Sequence, residues 1–423
     1  VAAVASSTQF TAASTFTFPM YGAGSKVAKM TPAEGVVVTG GKIEGNPANG
    51  IYTRFAVGAR VESVRFQWTD TATGAFISFR ESVDCEARDC SGAYPANETP
   101  NIYDRHTYKV ISGQSCGYVS CSVDNPTSGF DFTYTTDSGP TIHGYVLNCQ
   151  VRGAQVHGAT SHSGTYGMQF LGNQFLNCSG GIHVRSRSSQ VANNRLVGMR
   201  KPDTRGIALS EGWARDCVVT GNTITDFDNG IEVVESSVGL FTWCGANIAH
   251  NTVQRCNRGV WLRRHSSNKH IGETGILIQG NSLNTLGGPG TGGVVVAPFM
   301  RGVVIQSNVL NGGGVADTAI RIDANGHETR IFDNLILNFA QQGVRHNPPD
   351  DPLVTTANVY IGRNTYINVG FGSGARFPDR TNVTKREMGF FDVASYLRHT
   401  LPDAATITAA DLRSMLIAYG LAQ

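Results

Sequence analysis

Charge is scarce in this sequence: Asp, Glu, Lys and Arg make up 16% of 423 residues, against about 25% in an ordinary soluble domain. No basic run of the kind that binds nucleic acid occurs, Arg263-Arg264 being the densest short pair. The formal net charge of +2 argues neither for nor against an anionic partner. No apolar stretch is long enough to span a bilayer, and the start shows no charged-plus-apolar signal segment. The opening VAAVASSTQFTAASTFTF alternates instead like a strand. Nine cysteines are present without a CxxC pair at zinc spacing. These absences set aside a nucleic-acid binder, a membrane-inserted chain and a zinc module.

Glycine is abundant, 50 of 423 residues against a usual ~7%, and asparagine falls at regular places. One phrase recurs: an apolar strand, Gly-Asn or similar, a second apolar strand, then Gly-Ile/Val and a third strand. FLGNQFLNCSGGIHVRS and VVTGNTITDFDNGIEVVE are two copies. The turn Asn column runs Asn173, Asn194, Asn222, Asn251, Asn281, Asn308, Asn334 and Asn364, at intervals of 21 to 30 residues by subtraction. A second column holds Gly181, Gly206, Gly230, Gly259, Gly293 and Gly343, with Ala319 in one place. Periods of this size mean a solenoid or a propeller. A propeller blade would need about 40 residues and four strands, so three strands per repeat predict an all-β, parallel β-helix.

In that frame Asn is expected to supply left-handed turn geometry and to bond from rung to rung. Gly is expected where the chain bends sharply between strands, and the cysteines read best as buried free thiols rather than as Cys85–Cys90 and Cys116–Cys121 pairs. The predicted organisation is an N-terminal capping segment over 1–34, the β-helix over 35–370, and a C-terminal capping or assembly segment over 371–423. FDVASYLRHTL and TAADLRSMLIAYGLA in the last part have helical spacing, with Thr408 as an N-cap, giving a short helical cap.

Counting outward positions from the Gly-Ile/Val anchor stacks chemistry on one strip of sheet. One place after the anchor stand Asp131, His157, His183, Glu232 and Trp261; further along stand Arg185, Arg263, Glu211, Glu235 and Arg264. Glu211 and Glu235 share a column in successive rungs, ~4.8 Å apart at the backbone. Carboxylates that close do not ionise independently, so one becomes a general acid beside a base or nucleophile, as glycoside hydrolysis needs. The bland alternative is a solvated face on which these acids pair with Arg263, Arg264 and Arg185. His157, His162 and His183, with Arg185, Arg187 and Tyr166, form a second cluster suited to abstracting a proton beside an acid sugar's carboxylate. No carboxylate is counted beside those histidines to complete a metal set, so no metal and no cofactor is expected. Trp261 offers an indole face for a sugar ring.

The Asn-turn and Gly-Ile-x-Val phrases over about residues 35–370 resemble the pectate-lyase-like superfamily of right-handed parallel β-helices, and most nearly its phage tailspike polysaccharide depolymerases. The Asp-Gly-rich leading motif of those tailspikes is missing: either a preceding particle-binding domain has been removed, or the likeness is to the wider superfamily. GATSHSGTYG around His162 is similar to the Asp-x-His turn of mannuronan epimerases, with Thr160-Ser161-His162 where that family has an acid before the histidine. The resemblance implies a homotrimer placed on a phage tail or outside the cell. It also implies a bacterial capsule or O-chain polysaccharide as substrate. The first expectation is an endo-acting depolymerase hydrolysing through Glu211, Glu235 and Glu232. The second is a lyase using the His/Arg/Tyr cluster on a uronate-containing polymer. The third is a non-catalytic carbohydrate-binding adhesin.

Overall fold

The computed structural model describes residues 3–6, 9–11, 32–45, 49–68, 75–95, 106–135, 139–210, 214–235, 245–264, 272–273, 275–285, 291–297, 300–323, 328–346 and 359–369. Three long parallel sheets of 12, 13 and 13 strands wind around a common core, each strand pairing with its counterpart one rung away. The 12-stranded sheet runs from Asn49–Arg54 to Gln342–His346. The others run from Val37–Thr39 to Val359–Gly362 and from Lys42–Gly45 to Thr365–Ile367. This is the predicted three-strand rung. The C-terminal helical cap lies outside the described residues.

Inward positions alternate along strands such as Arg65–Trp68 and Ile276–Gln279 and fill a continuous core rich in Val, Ile, Leu and Phe. Toward the N-terminal end the filling is aromatic: Phe66 stacks on Phe76 at 5.0 Å, and Phe76 on Tyr94 at 4.8 Å. The eight described cysteines are buried and free.

The asparagines bond from rung to rung as expected, but neither they nor the glycines supply the backbone turn expected of them. The ladder asparagines are buried, Asn173 to 0% and Asn222 to 1% exposure, and left-handed backbone falls on the residue before each: Gly172, Asn193, Gly221, His250 and Gly280. That division of labour leaves the Asn side chain free to point inward. Asn222 donates through its backbone N and its Nδ2 to Asn251 Oδ1, at 3.0 and 2.9 Å, and through Nδ2 to Val191 O at 2.9 Å. The same motif repeats from Asn173 to Asn364. The Gly column is not a bend either. A Cβ on Gly181 would stand 2.1 Å from Gly206 O, and one on Gly206 2.6 Å from Gly230 O. Glycine is required at these two positions because the carbonyl of the next rung stands where a Cβ would go; Ala319 shows that the column admits a methyl elsewhere.

Candidate active site on the outer face of the 12-stranded sheet

Strand register fixes which side chains neighbour one another across this sheet. Its central outward column passes from Lys109 through Asp131, Thr160, His183, Ala208 and Glu232 to Trp261. Counting alone put His157 in this column; the structure puts Thr160 there instead. His157 opens its strand opposite Ser128, because the turn before it is longer than the anchor count allowed. It therefore shares a column with Arg205, Asn229 and Arg258, and Gly180 is the intervening rung.

That gap makes a cleft. Gly180 has no side chain and Ala208 a short one, so a hollow of about 300 Å³ opens between His157, His183 and Arg205, closed on one side by Lys201, Pro202 and Asp203. In it His183 Nδ1 lies 3.3 Å from His157 Nε2, and His183 Nε2 lies 2.6 Å from Ser210 Oγ. Burial, then the charges of Arg185 and Arg205, lowers His157 to about 3. Burial, His157 and the same arginines press His183 well below the usual imidazole range. Both imidazoles are neutral at neutral pH. If His183 donates to Ser210, it must accept from His157, and His157 Nδ1 then presents a lone pair beside Gly180. If Ser210 donates instead, every proton in the chain shifts and His157 Nδ1 carries a hydrogen. One pair can thus take a proton or give one.

A second histidine stands on a carboxylate. Asp131 is 1% exposed, and its Oδ1 lies 2.9 Å from His162 Nε2, with His106 Nδ1 at 3.5 Å and Lys109 Nζ at 3.9 Å from Oδ2. Burial works to raise this carboxyl; the bond from His162 and the surrounding positive charges outweigh it and hold Asp131 below the usual range. The sequence count set Asp131 one rung from His157; the structure pairs it with His162 instead. The signal was available, since His162 follows Thr160 by two on the same strand face. Arg185 stands beside His162: its Nη2 is 3.2 Å from Thr160 Oγ1 and 3.5 Å from His162 Nε2, and its Nε donates to Ser161 O, while its charge acts on His157 and His183. Asp131→Asn should preserve the fold but lower any activity, with its largest effect on kcat rather than KM, since Asp131 orients His162 without reaching the groove.

Beyond the cleft, Glu232 is wholly buried beneath Arg205 and Arg263, contacting Arg205 Nε and, at 3.1 Å, Arg263 Nε. Burial pushes its carboxyl up, against the pull of Arg205, Arg263 and Arg258. Trp261 is half-buried, with the Arg258 guanidinium 4.3 Å and that of Arg263 5.0 Å from its ring centroid. It carries arginines and is not a bare stacking face. Tyr166 and Arg187 form a backbone bridge at the corner that follows the sheet, where Tyr166 meets the His143 ring edge-on. Glu211 lies outside the described residues. Glu235 and Arg264 pair along the strands; their side chains, and with them the expected Glu211–Glu235 pair, lie outside the described residues.

The architecture is that of a right-handed parallel β-solenoid with a polar strip across one sheet. The chain belongs to the family described as "Periplasmic copper-binding protein (NosD)", whose model matches residues 120–369, more than half of it. No curated protein matches its sequence. Among solved structures it is similar to the catalytic unit of a thermostable α-1,3-glucanase from Streptomyces thermodiastaticus. There the identity is 13% and the TM-score 0.58, over 81% of this chain and 64% of that one. It is also similar to the A-module of a mannuronan C-5 epimerase from Azotobacter vinelandii, at 12% identity and TM-score 0.49 over 80% and 90%. A tailspike protein of E. coli bacteriophage HK620, solved with a pentasaccharide, gives 13% and 0.49 over 78% and 59%. At these identities the likeness is one of fold. Copper is named in the family's description. Among the described residues no three His, Cys, Asp or Glu side chains form a metal-holding group: the imidazoles of His157 and His183, a ligand type that suits copper, meet each other and Ser210 without a third such ligand, and the described cysteines are buried in the core. The described residues do not fit a copper centre.

Proposed function

We propose that the chain is a polysaccharide-processing enzyme, working outside the cytoplasm, that abstracts the proton next to the carboxylate of a uronate in an acidic bacterial polymer. The observation that carries this reading is the neutral His157–His183 pair, open to a glycine-floored cleft with Arg205 on its wall. Arg205 and Arg185 neutralise the sugar carboxylate, which acidifies the carbon beside it. His157 Nδ1 accepts that proton as the electron pair moves toward the carboxylate. The pair then closes to a C4–C5 double bond as the C4–O bond breaks, and the departing oxygen takes a proton from the histidines. Nothing else is consumed.

The rival reading, hydrolysis by Glu211 and Glu235, loses its third member, because Glu232 is sealed under guanidiniums. The test is to incubate the full chain with polygalacturonate, alginate and acidic capsular polymers, following ultraviolet absorbance and reducing ends together. Both should rise in parallel. Reducing ends without absorbance would return the assignment to the carboxylate pair, and binding without either product would leave an adhesin. Assembly as a homotrimer and a place on a phage tail belong to the same proposal, and sedimentation checks the first.

A further inference from the structure

The mechanism above leaves Glu232 without a part, although it is the most completely buried acid on the strip. Its side chain is 0% exposed, while those of Arg205 and Arg263, which it contacts, are 35% and 39% exposed. Register places it in the central column between Ala208 and Trp261, with Arg205 one rung before it and Arg263 one rung after. One carboxylate is thus shared by two arginines from opposite sides. Each is held closest through Nε, the stem side of its guanidinium, and a guanidinium has five N–H donors in a planar fork. Arg263 is fixed again by the Trp261 ring at 5.0 Å, and Arg258 lies against that ring at 4.3 Å while donating to Asn229 Oδ1 at 3.0 Å. Counting the charged groups that face this spot, three arginines meet Glu232 and Asp228, the latter 3.9 Å from Arg258. Among these described groups the guanidiniums of Arg205 and Arg263, not the Glu232 carboxylate, reach the surface.

Burying a carboxylate under two half-exposed arginines costs desolvation energy that a surface pair would not. The arrangement sets two guanidiniums against one carboxylate as ion pairs, and the planar guanidinium is the group that bidentate recognition of a carboxylate requires. We infer that Glu232 is a positioning residue that splays Arg205 and Arg263 and so builds a second acidic-sugar subsite beside the His157–His183 cleft. The inference rests on the uronate reading and deepens it: the polymer carries acidic sugars in succession, the first held at the cleft by Arg205 and a neighbour held by Arg263 over Trp261. Strands two rungs apart stand ~9.6 Å apart, room for adjacent sugars of one chain.

The experiment is calorimetric titration of the full chain with a galacturonate hexamer and, separately, with a neutral α-1,3-linked glucose hexamer. Glu232→Gln should weaken uronate binding about tenfold by releasing both forks, and leave any neutral-sugar binding as it was. Glu232→Asp should recover most of the loss, and Arg263→Gln should reproduce it. Arg263 is exposed enough that its variant folds whether or not Glu232→Gln does. Uronate affinity within about twofold of the parent in Arg263→Gln, or an equal loss for both sugars, overturns the inference. Turnover is measured apart from binding. Glu232-dependent uronate binding without unsaturated product would overturn the elimination reading and keep the subsite; product formation with unaltered binding in Glu232→Gln would do the reverse.

Discussion

Replacing His157 by alanine is expected to lower kcat on an acidic polysaccharide by about 10²–10⁴, the usual contribution of a positioned general base, with little change in KM. His183→Ala should cost nearly as much, because His183 fixes the tautomer of His157 through the 3.3 Å contact and links it to Ser210 at 2.6 Å. Ser210→Ala should cost less, since it removes only the far end of the chain. Neither imidazole is in the core, so circular dichroism of the three variants should match the parent. If His157→Ala retained full turnover while Glu235→Gln lost it, the chemistry would belong to the carboxylates.

The same burial sets the pH behaviour. His157 is held at about 3, against about 6.5 in an unfolded chain. Between those values the unfolded state binds a proton that the folded state does not, so stability falls as pH drops from 6.5 toward 3 and is fully present above 6.5. Activity should follow the folded value: the acid limb of the kcat/KM profile, which reports the free enzyme, lies well below the ordinary histidine range, because His157 keeps its lone pair there. An acid limb centred near 6.5 would mean that a solvated imidazole carries the reaction. Replacing Arg185, whose charge helps keep His157 neutral, should move the limb upward.

The solenoid was legible in the sequence because its constraints repeat. Asn173 to Asn364 and Gly181 to Gly293 each answer one demand made again at every rung, so spacing alone exposed them. Their purposes were less legible. Sequence does not distinguish an asparagine in a left-handed turn from one buried just after such a turn, nor a glycine that bends from one crossed by a neighbouring carbonyl. The strip was half legible for a related reason. Positions after the anchor, such as Asp131, His183, Glu232 and Trp261, fell into register. His157 did not, because a single longer turn displaces every count that crosses it. Nor could counting show that Glu232 lies under two arginines; such contacts depend on side-chain direction and depth. The cleft is the plainest case. It exists because Gly180 and Ala208 are small, and a motif search looks for functional groups rather than for gaps between them.

Those repeated asparagines carry the largest expected effect on stability. Asn222→Ala removes an acceptor from Asn194, whose backbone N and Nδ2 donate to Asn222 Oδ1 at 3.0 and 2.9 Å. It also removes the donor to Val191 O and one of the two donors to Asn251 Oδ1. Asn194, Asn222 and Asn251 are each about 1% exposed, so water cannot replace what is lost without opening the rung. Leaving a buried polar group unpaired costs ~1–3 kcal/mol, and two or three are orphaned at once, so a loss of about 3–5 kcal/mol is expected. Gln190→Ala, at an exposed position one rung away, should stay within about 0.5 kcal/mol. Because each rung of a solenoid is stabilised mainly by its two neighbours, the damage should be local. Amide exchange should accelerate around Asn194, Asn222 and Asn251 well before it does near Asn334. Uniform acceleration along the chain would mean that the ladder acts as one cooperative unit. A denaturation midpoint equal to that of Gln190→Ala would mean that strand pairing and the apolar core hold the rungs without it.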